Sequence, residues 1–273
     1  MNKHSSENLL DNNGAIKLQV LICTLGEAGI QRVAKGEHPH VPGVEYLVSW
    51  QLPDGDVAIP DELSRPDFKI IKNTTRGLSR NRNLSIAAAT APYCLISDDD
   101  LDYFADSIAK IIDIFDKNPE LDIATFKYSG ADTKQYPDHS FNLSKPPRGY
   151  YISSVEIAFN RNKISETGVS FNERFGVGAE FPAGEEDIWI HDLLKRKLNG
   201  EFFPITIAYH PGETTGTRRA SDPDIIRTKG AVFSHTHPLS WPLRMLAHVW
   251  RNYRSKTKIS TYKYLKSWLK GAL

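Results

Sequence analysis

The sequence predicts an α/β protein with a mostly parallel central sheet flanked by helices, followed by a helical extension at its C-terminal end. Apolar, β-branched runs alternate with helical patterns between residues 17 and 127. Such alternation is typical of a parallel sheet that binds ligands at the carboxyl ends of its strands. Hydrophobic residues make up 40% and charged residues 25% of the 273 residues, which is the balance of a globular chain.

The strands and helices follow from local patterns taken in chain order. The run KLQVLICT predicts a first buried strand at 17–24, and a helix follows at 27–35. A helix is also expected over 80–89, with Ser79 as its cap, because this segment is rich in alanine and good helix formers. One apolar face at helical spacing predicts another helix over 104–115. Further strands are expected at 44–51, 68–72, 93–96 and 121–127.

The second half of the sequence is less regular. Residues 130–148 are polar and rich in proline, which indicates a connecting or active-site loop. Short strands are expected near 151–158 and 202–208, and a helix near 185–198. Residues 241–273 then form a separate basic segment that is rich in aromatic residues.

Targeting signals, redox chemistry and nucleic-acid binding are not expected. The first thirteen residues are polar and no apolar run approaches the length of a membrane span, so we expect a cytoplasmic protein. Cys23 and Cys94 lie in apolar strands and are expected to be buried, reduced thiols. The basic tail lacks a recognised nucleic-acid-binding module.

The net charge of +1 conceals a strong division along the chain. Residues 241–273 contain eight Lys or Arg and no acidic residue. The preceding residues contain 26 basic and 33 acidic side chains, a net charge of −7. Two alternatives follow for the tail: peripheral attachment to an anionic membrane, or a helical pair that packs against the acidic body.

Three consecutive carboxylates, Asp98, Asp99 and Asp100, follow a buried strand directly. Their crowding is electrostatically costly unless a cation relieves it, and carboxylates together with phosphate oxygens are the usual ligands of Mg²⁺ or Mn²⁺. The alternative is that Asp99, Asp100 and Asp102 occupy a turn and cap the next helix.

A second acidic group, Glu185 to Asp187, opens the helix at 185–198. A carboxylate at such a rigid terminus suits a general base, while simple capping of the helix is the alternative. Arg82 is a candidate for binding phosphate oxygens. His210 is a candidate metal ligand or proton donor, although it also suits a structural role.

These motifs together resemble the family 2 glycosyltransferases of the GT-A fold. The resemblance is carried by the segments GLSRNRNLSIAAA at 77–89, YCLISDDD at 93–100 and GEEDIW at 184–189, in the family's order, and it covers residues 17–212. It implies a catalytic domain over 1–240, with a nucleotide-sugar half at 15–128 and an acceptor half at 129–240. Residues 241–273 would be a helical tail.

The resemblance also implies roles for the acidic residues. Asp98 and Asp100 match the Asp-X-Asp motif that holds a divalent cation, Mn²⁺ or Mg²⁺, with Asp100 the more direct ligand. Asp99 would lie near the ribose or the sugar. Asp187 matches the catalytic base that deprotonates the acceptor hydroxyl, and Glu186 is its neighbour on the acceptor side.

The remaining site residues are implied in the same way. Thr24 ends the first strand where the family binds the nucleotide base, and Arg82 matches an arginine near the base and the diphosphate. His210 resembles a histidine that contacts metal or diphosphate. Gln51 stands where the family usually has an acidic residue. This departure bears on which base is bound. The amide of Gln51 suits a uracil edge, and UDP is the favoured nucleotide.

The resemblance therefore implies an inverting, metal-dependent glycosyltransferase. Its donor would be a nucleotide sugar and its acceptor a saccharide or lipid-linked saccharide in cell-surface polysaccharide or glycoconjugate synthesis. For an acceptor of the second kind, the inner face of the plasma membrane is the expected location. Two alternatives stay open, a non-catalytic carbohydrate- or nucleotide-binding module on the same fold and a sugar nucleotidyltransferase.

Overall fold

The computed structural model describes residues 15–52, 57–130, 134–211, 222–250 and 259–273, together with the backbone of 251–254. The chain divides into two compact units. The first unit comprises residues up to 76, 80–169 and 193–212, and the second comprises 77–79, 170–192 and 213 onward. The boundary expected at residue 240 remains a prediction.

The first unit is built on one sheet. Its strands are β1 (Leu18–Leu25), β2 (Val44–Gln51), β3 (Phe68–Asn73), β4 (Tyr93–Asp98), β5 (Asp102–Tyr103), β6 (Ile123–Gly130), β7 (Phe141–Asn142), β8 (Ile157–Asn160) and β9 (Gly200–His210). Their order is β3-β2-β1-β4-β8-β6-β9-β5, with β7 paired to β9. The pairings among β1, β2, β3 and β4 are parallel, which confirms the predicted α/β class. Beyond them β8 runs antiparallel to both β4 and β6.

The helices of the described residues are α1 (Gly26–Lys35), α2 (Leu78–Ala88), α3 (Ala105–Lys117), α4 (Arg161–Thr167), α5 (Glu185–Lys195), α6 (Pro223–Thr236), α7 (Trp241–Arg254) and α8 (Thr261–Ala272). Ile30 and Val33 of α1 are buried in the main core beside the sheet. The face predicted for the 104–115 segment is confirmed from Ile108 onward, because Ile108, Ile111 and Phe115 of α3 enter the same core. Phe104, where the face was expected to begin, precedes α3 and is 43% exposed. No helix in the described ranges combines the length and the apolar character that crossing a membrane requires.

Two apolar clusters lie among the described residues of the second unit. Phe175, Phe181 and Ile188 form one of them with Ala231 of α6. In the other, Tyr264 and Trp268 of α8 are buried against Ile226 of α6 and Met245 of α7. The predicted helical extension is confirmed, and α8 buries Tyr264 and Trp268 while its Tyr262 is 72% exposed.

Several local expectations are corrected. Ser79 does not cap α2, which begins one residue earlier, and its hydroxyl instead donates to the carbonyl of Phe175. A 3₁₀ turn at Ser154–Glu156 replaces most of the strand expected near 151–158. The thiol prediction is confirmed, since Cys23 and Cys94 are both free and buried, and burial raises the pKa of each to about 12.

Candidate functional site

Asp98 ends β4 and is held by a buried arginine. The Nη2 atom of Arg82, on α2, donates to Asp98 Oδ1 at 3.0 Å and to Ser154 Oγ at 2.9 Å. The Arg82 side chain is 1% exposed, whereas the Asp98 side chain is 35% exposed. The pair therefore fixes a positive charge at the carboxyl edge of the parallel strands, where α/β sheets bind ligands.

Asp99 is tied to β1 and α1. Its Oδ2 accepts a 2.6 Å hydrogen bond from the hydroxyl of Thr24. Arg32 contacts it in a bidentate manner, with Nε donating to Oδ1 and Nη2 to Oδ2, both at 2.9 Å. Arg32 is a residue that the sequence analysis missed, because only the fold brings α1 beside the end of β4. These hydrogen bonds hold Asp99, and with it the turn that carries Asp98 and Asp100, against the end of β1 and against α1.

Asp100 lies beside His210, whose Nε2 is 3.5 Å from Asp100 Oδ1. Burial raises the pKa of the Asp100 carboxyl, His210 opposes this shift, and the charges of Asp98 and Asp99 add to it. Gly130 permits the close approach of the His210 backbone, because a Cβ at position 130 would lie 1.9 Å from the His210 carbonyl oxygen. The structure thus brings the carboxylate and imidazole together.

A divalent cation fits this corner of the first unit best at Asp100. Its Oδ1 is buried and accepts no hydrogen bond within the described residues. Asp99 already uses both of its oxygens, and Asp98 uses Oδ1. The described ranges contain no group of three acidic, His or Cys side chains that would hold a metal by itself. One or two protein ligands suffice where phosphate oxygens supply the others.

A buried amide network lies under the ends of β1, β2 and β3. Asn81 is 1% exposed and its Nδ2 donates to the carbonyl oxygens of Ser49 and Thr24, while its Oδ1 accepts from Ser49 Oγ at 2.7 Å. Gln51 ends β2 and donates to Thr75 Oγ1 at 2.9 Å. Asn81 lies in the segment GLSRNRNLSIAAA at 77–89. Its contacts with the strand ends could not be predicted from that segment, because they depend on how three strands pair in the fold.

The loop after β6 is anchored by a buried ion pair. Lys134 and Glu156 have side chains only 4% and 0% exposed, and Lys134 Nζ lies 2.7 Å from Glu156 Oε1. Tyr136 donates to the same oxygen at 2.6 Å. The rings of Tyr136, Tyr150 and Tyr151 lie 4.4–5.1 Å from the ammonium. Glu156 also ends the 3₁₀ turn that begins at Ser154. The ion pair therefore helps to position Ser154, which accepts a hydrogen bond from Arg82.

The acidic helix start belongs to the second unit. Glu185 is buried, Glu186 is half-buried and Asp187 is exposed in the first turn of α5. Gly184, at φ +85°, leads into this turn, and a Cβ there would lie 2.5 Å from Val232 Cγ2. The exposed carboxylate of Asp187 is accessible from solvent on a helix start that is fixed by its neighbours, and its role as a general base stays a prediction.

The alternative interpretation of the strand-end acids is half correct, because Asp99 and Asp100 lie in a turn but do not cap the next helix. The residue at the N-cap of α3 is Phe104, and it makes no side-chain capping bond. Asp102 instead accepts a 2.8 Å hydrogen bond from the backbone of Glu37.

The predicted site residues are divided between the two units. The first unit contains Thr24, Gln51, Arg82, Asp98, Asp99, Asp100 and His210, and the second unit contains Glu186 and Asp187. The residues that follow Pro211 in the run after His210 lie outside those described.

The family model described as "Glycosyl transferase family 2" matches residues 51–173. This segment includes Arg82 and the Asp98–Asp100 triplet, while Thr24 and Asp187 lie outside it. No curated protein sequence matches the chain.

Solved structures of S. aureus TarS share the fold. The TarS structure has a TM-score of 0.58 and 14% identity over 93% of this chain, which spans 43% of the TarS chain. TarS 1–349 in complex with UDP and with UDP-GlcNAc gives TM-scores of 0.58, at 13% and 14% identity. This chain covers 70% and 71% of those two TarS chains. Over residues 51–173, somewhat less than half of its length, the chain is similar to glycosyl transferase family 2.

Proposed function

We propose that this protein is an inverting glycosyltransferase that moves a sugar from a nucleotide-sugar donor to a hydroxyl group of a saccharide or lipid-linked saccharide. The observation that carries the proposal is the Asp98–Asp100 triplet at the end of β4, held next to the buried Arg82 inside the family 2 match. A fixed guanidinium beside strand-end carboxylates suits a diphosphate and a cation together.

A UDP-sugar is the favoured donor. The amide network of Asn81 and the side chains of Thr24 and Gln51 place polar groups at the ends of β1 and β2, where a nucleobase and ribose would lie. TarS, which shares the fold, has been solved with UDP and with UDP-GlcNAc. Asp99, held by Thr24 and Arg32, would line the ribose or sugar.

Departure of the diphosphate needs positive charge near its oxygens. Asp100 with His210, and Asp98, are the residues that would hold Mn²⁺ or Mg²⁺. When bound, such a cation neutralises the charge that develops on the leaving nucleoside diphosphate. Arg82 contributes to the same end, because its buried guanidinium is already oriented by Asp98 and Ser154 and needs no reorganisation.

Asp187 would be the general base. Its carboxylate would accept the proton of the acceptor hydroxyl as that oxygen attacks the anomeric carbon from the side opposite the diphosphate. Such an attack inverts the configuration at that carbon. Glu186, which precedes it in the same turn of α5, would orient the acceptor.

The acceptor class decides where the protein would work. A lipid-linked saccharide would place the reaction at the inner face of the plasma membrane, so peripheral contact with an anionic membrane belongs to this proposal. The charge of +8 in residues 241–273 supports such contact. Cell-surface polysaccharide or glycoconjugate synthesis is the process that would use the product.

Calorimetric titration of the full chain with UDP, GDP and dTDP tests the donor site, each with Mn²⁺ and again with EDTA. We expect binding of UDP that weakens at least tenfold when the metal is removed. Asp100→Asn should weaken the metal-dependent binding, whereas Asp113→Asn, an exposed aspartate of α3 that pairs only with Lys117 among the described contacts, should not. Absence of nucleotide binding both with Mn²⁺ and with EDTA would contradict the proposal.

A second measurement separates binding from transfer. Release of UDP from UDP-GlcNAc, to water or to a saccharide acceptor, should require Asp187, and Asp187→Asn should retain UDP binding while losing turnover. Nucleotide binding without turnover in the unsubstituted chain would favour a binding module. Release of pyrophosphate from a nucleoside triphosphate and a sugar phosphate would favour a nucleotidyltransferase.

A further inference from the structure

Helix α7 has two apolar faces, of which one packs with α8 and the other is largely exposed to solvent. Its inner face carries Trp241, Met245 and Val249, which pack with Trp268 of α8. Met245 is 8% exposed and the ring of Trp241 stacks on that of Trp268 with centroids 5.8 Å apart. This face accounts for the attachment of α7 to its own unit.

The outer face is a stripe of large apolar side chains open to solvent. Leu243 is 71% exposed, Leu246 56% and Trp250 59%. Leu239, directly before the helix, is 98% exposed. These four positions are spaced by four, three and four residues, so those within the helix share one side of it. Scattered exposed leucines are ordinary on a protein surface, whereas a continuous stripe of this kind marks an interaction site.

The surroundings of the stripe are basic. Arg244 is exposed on α7, and Lys263, Lys266 and Lys270 are exposed on α8. Residues 241–273 contain eight basic residues and no acidic one, whereas the rest of the chain is at −7. The stripe therefore selects a partner that offers both an apolar layer and negative charge. A symmetric pairing of two copies through this stripe would bring one basic tail against the other, and like charges would repel.

A bilayer surface with anionic lipids meets both requirements. A helix that lies in the plane of such a surface buries its apolar face at the boundary between headgroups and acyl chains. Tryptophan is favoured at that depth, and each nearby Lys or Arg adds to the attraction. The fourteen residues of α7 would lie along about 21 Å of the surface.

We propose that Leu239, Leu243, Leu246 and Trp250 form a lipid-contacting surface that attaches the protein to anionic membranes. This inference deepens the proposed function, because it names the partner of the tail and would bring the transferase to a lipid-linked acceptor. Vesicle binding does not depend on turnover, so it can fail or succeed independently of the proposed activity.

Co-sedimentation of the full chain with vesicles tests the proposal directly. We expect binding to vesicles of phosphatidylglycerol mixed with phosphatidylcholine and at least tenfold weaker binding to phosphatidylcholine alone. Added salt should weaken the binding, because it screens the charges. The variant Leu243→Ser/Leu246→Ser/Trp250→Ser should lower the partition coefficient at least tenfold, while Ile59→Ser, at a 42% exposed position of the first unit, should leave it unchanged.

Tryptophan fluorescence provides a second measurement. Trp50, Trp189 and Trp268 are at most 1% exposed, and Trp241 is partly buried against Trp268, so a blue shift on adding vesicles would come chiefly from Trp250. Trp250→Phe should lose most of the shift and keep most of the binding. Equal sedimentation of the serine variant and the unsubstituted chain would overturn the proposal. A concentration-dependent dimer that the same variant abolishes, with no binding to vesicles, would assign the stripe to a second copy instead.

Discussion

The hydroxyl of Thr24 lies 2.6 Å from Asp99 Oδ2, and the approach of β1 to the end of β4 at this point depends on Gly29. A Cβ at position 29 would lie 2.1 Å from Thr24 Oγ1 and 2.9 Å from Asp99 Oδ2. Gly29 lies inside α1, where alanine would ordinarily stabilise a helix by about 1 kcal/mol. The contact between Thr24 and Asp99 thus outweighs helix propensity at this residue.

Gly29→Ala is therefore expected to destabilise the protein. Displacing Thr24 and Asp99 should cost roughly 1–3 kcal/mol, the usual range for overpacking a buried site, measured as the free energy of unfolding in urea. Nucleotide binding should weaken as well, because Asp99 is next to Asp98 and Asp100. Gln31→Ala, at an exposed position of the same helix, is the control and should be near neutral. A stabilised Gly29→Ala would contradict the close approach.

Arg82→Met should affect both stability and donor binding. Arg82 is fully buried, so its removal leaves Asp98 and Ser154 without their donor. Because Asp98 is 35% exposed, water compensates part of the loss, and we expect roughly 1–3 kcal/mol in the free energy of unfolding.

The affinity of the Arg82→Met variant for UDP should fall about tenfold, which calorimetry would show, because charge-assisted contacts to phosphate are lost. Arg80→Met changes an exposed arginine two residues earlier and serves as the control. Unchanged affinity in the Arg82→Met variant would refute a role for this guanidinium at the diphosphate.

Strands and helix faces could be predicted from the sequence, whereas most side-chain contacts could not. The buried strands β1 and β2 and the inward face of α3 were expected within a residue or two, because continuous β-branched runs and helical spacing are local signals. The strand-end acids and Arg82 were also found, since they adjoin such runs. Helices α4 and α6 were not expected, because their apolar residues give a weaker pattern.

The contacts that orient the site could not be predicted locally. Arg32 reaches Asp99 across 67 residues of sequence. The pair of Lys134 and Glu156 joins a polar, proline-rich segment to a 3₁₀ turn, and neither segment shows a periodic pattern. Only the fold determines which cation faces which carboxylate. The sequence shows that a residue is charged but does not show which residue it pairs with.

Lys134→Met should reveal the cost of an unpaired buried carboxylate. Burial raises the pKa of Glu156, and Lys134 and Tyr136 oppose that shift. Without the lysine, Glu156 would be protonated at higher pH or would remain as an isolated charge. We expect a loss of about 3–5 kcal/mol at neutral pH, measured as the free energy of unfolding.

The sign of the pH dependence follows from the direction of that pKa shift. A carboxyl whose folded pKa lies above its unfolded value binds protons more tightly when folded, so stability is retained at low pH and lost as pH rises through the folded pKa. The Lys134→Met variant should therefore recover stability between about pH 8 and pH 5, relative to the unsubstituted protein. Lys134→Met/Glu156→Gln, which removes both charges, should lose this dependence. A pH-independent deficit in the single variant would contradict the assignment.

The contact between α6 and α8 gives the last prediction. A Cβ at Gly230 would lie 2.0 Å from the carbonyl oxygen of Trp268, and one at Gly271 would lie 1.8 Å from that of Arg227. In both cases the obstacle is backbone, which cannot rotate away as a side chain can. Gly230→Ala and Gly271→Ala should each separate the two helices and cost roughly 1–3 kcal/mol.

Limited proteolysis measures this separation, because α8 carries the buried Tyr264 and Trp268 that close the cluster. Both glycine variants should expose residues 241–273 to cleavage sooner than Lys270→Ala, whose side chain points to solvent. Loosened packing would also free the inner apolar face of α7, so these variants should bind vesicles less selectively for anionic lipid. If cleavage and vesicle binding both match those of Lys270→Ala, the two glycines do not hold the tail in place, and the orientation of the outer stripe of α7 must have another cause.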